Sequence, residues 1–237
     1  MDGTARLLLT RPEPAARRFL AACEAVRGRP IPAILSPILE IRPVEVRLAE
    51  LPAALILTSE NGVARAREIG LGGCPAWCVG PRTAEAARAA GFQAIEAGPD
   101  AEGLVAALLA ARPEGPLLHL RGEHARGDVA ERLRGAGLDA REVVAYRQDA
   151  LPPSAGARAA LDGAGPLVAP LFSPRSAAML ATWSPRAPLH VVAMSEAVAE
   201  AARAMTPDRL RVAPSPEAGA MVGITLDMLA ALDASAA

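Results

Sequence analysis

Short apolar runs bounded by glycine, proline or serine alternate along this chain with longer alanine- and arginine-rich segments in which apolar residues recur with a helical period. Runs of the first kind predict strands buried on both faces, and segments of the second kind predict the helices that cover them. The expected strands are Arg6–Thr10, Ala54–Thr58, Ala76–Val79, Pro116–Leu120, Leu167–Phe172 and Leu189–Ala193. The expected helices are Glu13–Val26, Asn61–Ile69, Pro81–Ala90, Ala101–Ala111, Ala125–Ala136, Pro174–Ala181, Glu196–Ala204 and Glu217–Leu232. Ser173-Pro174 and Ser215-Pro216 each put an N-cap hydroxyl ahead of a proline at the first helical position, and Gly80-Pro81 is a weaker version. Gly91 and Gly137 stand where a left-handed residue would close a helix. The fold class is therefore α/β with parallel sheets.

Two stretches break the alternation. Pro30–Val46, extended and interrupted by proline, and Arg141–Gln148 read as strands without a following helix. They are expected to pair with each other as a two-stranded connector between lobes, and Pro32, Pro37 and Pro43 suit an edge. The remainder is organised by an internal repeat. The segment at 6–28 aligns with that at 116–137, setting Leu7 opposite Leu117 and Arg11 opposite Arg121, 110 positions apart. LILTSENGVARA at 55–66 resembles PLFSPRSAAMLA at 170–181, with Ser59 opposite Ser173, and 77–91 resembles 191–205, with Gly80 opposite Ser195. The chain thus reads as two similar α/β units, which periodicity alone would divide near residue 112.

Composition removes several chemistries. All 25 basic residues are arginine, so a P-loop lysine and a Schiff-base lysine are both excluded. A net charge of −1 with one Tyr, two Trp and three Phe disfavours a nucleic-acid groove, which needs a basic field and stacking platforms. No Gly-x-Gly-x-x-Gly pattern supports a dinucleotide. No apolar stretch is expected to approach the roughly 20 residues of a membrane span. Three cysteines cannot close a disulfide set, and the start MDGTARLLLTRP lacks a secretory apolar run, so a cytoplasmic location is expected.

The chemistry that stands out lies at strand ends. Thr58-Ser59 and Phe172-Ser173 each follow a strand and open a helix, as do Gly80-Pro81-Arg82-Thr83 and Met194-Ser195. Helix starts present unpaired N–H groups and a positive dipole end, and four such turns make an anion-lined cleft the better reading than capping alone. Arg11, Arg82, Arg121 and Arg175 fall at or just past strand ends, where guanidinium forks could grip carboxylates. Most other arginines have acidic neighbours one helical turn away, as Arg132 has Asp128, and read as solvated faces. His119, His124 and His190 are too dispersed for a metal site, and Cys74 with Cys78 lacks a second pair for zinc. The single tyrosine, Tyr146, has two open readings: an amphipathic residue packed at the connector, or a phenol reaching an interdomain cleft to hydrogen-bond a leaving hydroxyl.

Taken in order, LLLTRP, LILTSENGV, CVGPRTAEAARAAGF, HLRGEHARGDVAERLRGAGL, VVAYR and LFSPRSAAML resemble the uroporphyrinogen-III synthase family over nearly the whole chain. The resemblance implies an enzyme, a cyclising hydro-lyase of tetrapyrrole and haem biosynthesis without a cofactor or metal. It would close hydroxymethylbilane to uroporphyrinogen III with inversion of ring D and loss of water. It also implies two flavodoxin-like parallel-sheet domains joined by a two-stranded antiparallel β-ladder. Here these would be residues 1–35 with 149–237, and 39–146, with connector strands at about 33–42 and 143–147. By the same resemblance Tyr146 is the catalytic acid. Thr58, Ser59 and Ser173 match positions of the family's cleft, and Thr83 keeps the family's pattern; with Gly80 and Ser195 at helix starts and Arg11, Arg82, Arg121 and Arg175 at strand ends, these are the expected substrate-binding residues. A monomer is expected, without nucleic-acid or membrane partners, and there is room for transient contact with the upstream bilane-forming enzyme. One departure is that Ser195-Glu196-Ala197-Val198-Ala199 lacks the threonine common in the family's last turn. The alternative is a non-catalytic two-lobed protein binding anions or tetrapyrroles on the same scaffold.

Overall fold

Leu55-Ile56-Leu57, Leu167–Leu171 and Leu189–Ala193 are buried at every position, which requires cover on both faces of each strand. A computed structural model describes residues 4–125 and 127–236 and supplies that cover. The chain begins with β1 (Arg6–Leu9), α1 (Glu13–Arg27), β2 (Ala33–Leu35) and β3 (Leu39–Pro43). It continues through β4 (Ala54–Leu57), α2 (Glu60–Glu68), β5 (Pro75–Cys78), α3 (Gly80–Ala89), β6 (Gln93–Glu96), α4 (Ala101–Ala111), β7 (Leu117–Gly122) and α5 (Val129–Gly135). Then come β8 (Ala140–Ala150), α6 (Ala155–Leu161), β9 (Leu167–Leu171), α7 (Pro174–Ala181), β10 (Leu189–Ala193), α8 (Glu196–Ala202), β11 (Arg209–Val212) and α9 (Ala218–Ala236).

The chain folds as two compact units. One takes the chain up to Glu40 and from Ala150 onward, and the other is continuous, Ile41–Asp149. A linear cut near residue 112 would divide the second unit, so that reading is replaced. In the discontinuous unit the strand order is β11-β10-β9-β1-β2, all parallel. Leu7 and Leu9 face α1 and α9 across a core with Phe19, Cys23, Met221 and Met228, while Leu8 packs on the other side with Leu180 and Val198. In the continuous unit β6-β5-β4-β7-β8 are parallel, with β3 beside β8 at the edge. Val63, Ala84 and Tyr146 share one core and Leu104, Val129 and Leu133 the other.

Counted from β9, the discontinuous unit has the strand order of the continuous one counted from β4, 3-2-1-4-5. The two units are circular permutants of one arrangement. This explains the sequence repeat, since β1 is the counterpart of β7, and β9 of β4.

Several expectations change. The expected connector strand at 33–42 is two strands: Ala33–Leu35 belongs to the first sheet, paired with Leu7–Leu9, and only Leu39–Pro43 lies beside β8. The segment holding Tyr146 is likewise part of a sheet, since Ala140–Tyr146 pairs in parallel with β7. The edge strands β6 and β11 and the short helix α6 add to the expected elements. The helix expected at Ala125–Ala136 starts at Val129, and Arg126 within it lies outside the described residues. Ser215-Pro216 does not open α9, which begins at Ala218. That helix also corrects the reading of apolar length. Ala218–Ser235 is long and apolar enough to cross a membrane by length and composition, with mean hydropathy 1.3, yet Met221, Val222, Ile224, Met228 and Leu229 are buried in the unit's core.

Candidate functional site

In an open α/β sheet the strand order reverses at one point, where the connections on either side leave toward opposite faces and open a crevice beyond the strand ends. In the continuous unit that point lies between β4 and β7. Past β4, Thr58 is followed by Ser59, the N-cap of α2, whose Oγ accepts from the Gly62 amide at 3.2 Å. The same Oγ lies 2.8 Å from the Tyr146 hydroxyl. With Gly62 as donor, Ser59 keeps its own O–H and a second lone pair, so either hydroxyl can donate in its contact with the phenol oxygen. The helix start places partial positive charge beside that oxygen.

Tyr146 reaches this position because β7 has no side chain beneath it. Tyr146 pairs with Gly122 after a register shift at Arg121/Gly122. A Cβ at Gly122 would stand 2.7 Å from Tyr146 Cε2 and 2.9 Å from Cζ. The ring therefore lies directly over the glycine, and Tyr146 is 6% exposed. Glycine inside a strand pattern marks this kind of close approach.

Beside it, His119 Nε2 lies 3.3 Å from Thr58 Oγ1. The imidazole is 1% exposed. Burial is the main cause that pulls it down to about 4; Glu142 opposes and Arg121 reinforces the shift. Its Nδ1 is buried and has no hydrogen-bond partner among the described residues, and His119 lines a polar cavity of about 200 Å³ with Arg121, Glu123, Asp128 and Glu142. Arg121 is turned onto its own loop, donating to the carbonyls of Gly122 and Glu123 and to Glu142.

His119 makes stability depend on pH. The unfolded chain binds a proton near 6.5 and the folded chain only near 4, so stability is complete above about 6.5 and falls as the pH drops toward 4. The total loss is about 3 kcal/mol. His190, also lowered by burial, acts in the same direction. His119→Leu is expected to flatten this decline, as measured by chemical denaturation at pH 7 and pH 5. Equal losses in variant and parent would place the titration elsewhere.

The discontinuous unit has its reversal between β1 and β9. There the Arg11 guanidinium lies 4.1 Å above the Phe172 ring, and Phe172 meets Phe19 edge-on. Ser173 caps α7, accepting from the Ser176 amide at 3.1 Å, and donates to Ser176 Oγ. Ser59 and Ser173 thus occupy equivalent N-caps in the two permuted units, but only Ser59 meets a tyrosine.

A family model described as uroporphyrinogen-III synthase HemD matches residues 21–223 of this chain. The chain belongs to the uroporphyrinogen-III synthase family. The function that goes with it lies in tetrapyrrole biosynthesis. Among solved structures, a uroporphyrinogen-III synthetase from Helicobacter pylori aligns over 95% of this chain and 100% of its own, with TM-score 0.64 and 14% identity. A mutant uroporphyrinogen III synthase from Thermus thermophilus aligns over the same shares with TM-score 0.49 and 18% identity. A comparison with curated protein sequences gives no match.

For a uroporphyrinogen-III synthase, the site residues expected from the sequence fall at four places. Thr58, Ser59, Arg121 and Tyr146 meet at the β4/β7 reversal. Arg11 and Ser173 meet at the β1/β9 reversal, with Arg175, half-buried, in the first turn of α7. Gly80, Arg82 and Thr83 lie one strand away at the start of α3. The Gly80 amide donates to Gly98 O at 2.8 Å, Arg82 pairs with Glu60 at 3.2 Å, and Thr83 belongs to the buried face of α3. Ser195 takes the N-cap of α8 without a capping hydrogen bond from its side chain. Arg132 pairs with Glu102 at 2.7 Å and also feels the charge of Asp128.

Sequence reasoning missed Gly122, the contact of His119 with Thr58, and the buried Arg65. A glycine inside an apolar strand was the available signal for the first. The second depends on which strands are neighbours. The thiols of Cys23 and Cys78 are pushed up to about 11, chiefly by burial, so neither supplies a thiolate near neutral pH.

Proposed function

We propose that this chain closes hydroxymethylbilane to uroporphyrinogen III with inversion of ring D and loss of water, as a cyclising lyase working as a monomer in the cytoplasm. The observation that carries the reading is the family match over residues 21–223, and the Ser59–Tyr146 pair at a sheet reversal gives it a chemical centre. Tyr146 is the general acid. It protonates the departing hydroxymethyl oxygen, which leaves as water, and Ser59 with the α2 start stabilises the phenolate left behind. The resulting azafulvene is attacked from the substituted carbon of ring D. The spiro-pyrrolenine so formed fragments, recloses through the other carbon of that ring and loses a proton.

The substrate's eight carboxylates call for distributed anion binding, because one exposed helix start contributes only about 0.3 to 1 kcal/mol. Arg11, Thr58, Ser59, Gly80, Arg82, Thr83, Arg121, Ser173, Arg175 and Ser195 are proposed to share that task. Holding a flexible tetrapyrrole in one curled geometry is then largely positional work. The segments through which the chain leaves and re-enters the discontinuous unit are read as a two-stranded antiparallel ladder. Support comes from Val44 N donating to Ala145 O and Leu151 N donating to Ile38 O, since partner numbers that rise on one side as they fall on the other belong to antiparallel pairing.

The test is a coupled assay in which hydroxymethylbilane is generated in place, the purified chain is added, and the oxidised porphyrin isomers are separated. An excess of type III over the spontaneous type I isomer is expected. Type I alone from a folded sample would leave a binding protein on this scaffold.

A further inference from the structure

Arg65 stands on α2, six residues after Ser59, and has an acidic neighbour one turn on, Glu68. That pattern predicts a solvated arginine. Instead Arg65 is 7% exposed. Its Nε donates to Ala145 O at 2.9 Å, its Nη2 donates to Val44 O at 2.8 Å, and its Nη1 pairs with Glu68 at 2.5 Å. A buried guanidinium is costly unless its donors are engaged, and here each nitrogen has a partner. Two of the three are backbone carbonyls on segments outside its own helix.

One of those carbonyls belongs to the residue immediately before Tyr146. Helix α2 therefore holds β8 at two adjacent points. Arg65 grips the backbone at Ala145, and Ser59 meets the hydroxyl of Tyr146 at 2.8 Å. Gly122 lies under the ring. Rotation of α2 against β8 would carry Ser59 away from the phenol, and the guanidinium fork blocks that movement through two carbonyls at once.

We propose that Arg65 is a positioning residue for Tyr146, locking α2 to β8 so that the phenol stays registered against Ser59. The proposal rests on the reading of Tyr146 as proton donor, and its test separates the two. Because the chain has a single tyrosine, protein labelled with carbon-13 at the hydroxyl-bearing ring carbon of tyrosine gives one resonance, from Tyr146 alone. In Arg65→Lys and Arg65→Met that resonance is expected to shift or broaden. The kcat for type III isomer formation is expected to fall between about 10- and 100-fold, the cost of misplacing a catalytic group by up to about 1 Å, with KM within about twofold of the parent. Lysine, which keeps the charge but reaches fewer carbonyls, is expected to retain more activity than methionine and keeps the test open if the methionine variant does not fold. An unchanged resonance and kcat in folded Arg65→Lys would overturn the proposal. So would a further loss of the same size when Arg65→Lys is added to Tyr146→Phe. If Tyr146→Phe alone keeps full kcat while the resonance still moves in Arg65→Lys, the acid reading fails and the positioning stands.

Discussion

Replacing Tyr146 by phenylalanine is expected to lower kcat for type III isomer formation by about 100-fold or more, the range over which a placed general acid acts, with the fold intact. The substitution removes one oxygen and leaves the ring over Gly122. Ser59 keeps its hydrogen bond from the Gly62 amide, so the loss in stability is about 1 kcal/mol, that of one hydrogen bond. No other phenol exists to take over, as Tyr146 is the sole tyrosine. The neighbouring imidazole is a poor substitute, because His119 is uncharged at neutral pH and its Nε2 faces Thr58. Steady-state kcat and KM with isomer separation, alongside a denaturation curve, make the measurement. A variant with undiminished kcat would remove Tyr146 as the acid.

The second large effect is expected from Gly122→Ala. The backbone there is not in the left-handed region, so the effect is purely steric: the new Cβ would stand 2.7 Å from Tyr146 Cε2. The ring has to tilt off β7, and the tilt carries its hydroxyl away from Ser59. Loss of kcat approaching that of Tyr146→Phe is expected, with a stability cost of about 1–3 kcal/mol, as for other overpacked sites. Two residues that act through one oxygen are not additive. Gly122→Ala is therefore expected to slow Tyr146→Phe little further. Normal turnover by Gly122→Ala would show that the phenol need not sit where Gly122 allows it.

What could be read from the sequence follows from burial. Ala101–Ala111, Pro174–Ala181 and Leu189–Ala193 have the expected bounds because their apolar pattern is complete within the element. Gln93–Glu96 and Arg209–Val212 give no strand signal because these edge strands are largely exposed, with polar residues at both ends of the first and at alternate positions of the second, leaving no continuous apolar run. Ala155–Leu161 is a short helix behind two prolines, where turn signals outweigh periodicity. At the site, Ser59 and Ser173 announced themselves as N-caps because capping is local. Tyr146, read as a residue of a connector, is instead in the sheet beside β7. The contacts of Gly122 with Tyr146, His119 with Thr58 and Arg65 with Ala145 span distant parts of the chain, and no local pattern encodes them.

The permuted relation of the two units also sets a timetable for the nascent chain. The five parallel strands of the continuous unit, β4 to β8, follow one another in a single stretch of chain, so that unit has its parallel sheet once that stretch has been made. β1 and β2 come earlier but complete their sheet only through β9, which pairs Leu7 with Val168, about 160 residues later in synthesis. Their apolar faces therefore wait on the ribosome with their sheet incomplete while the middle of the protein folds. The first part of this chain to be translated is among the last to reach its native surroundings.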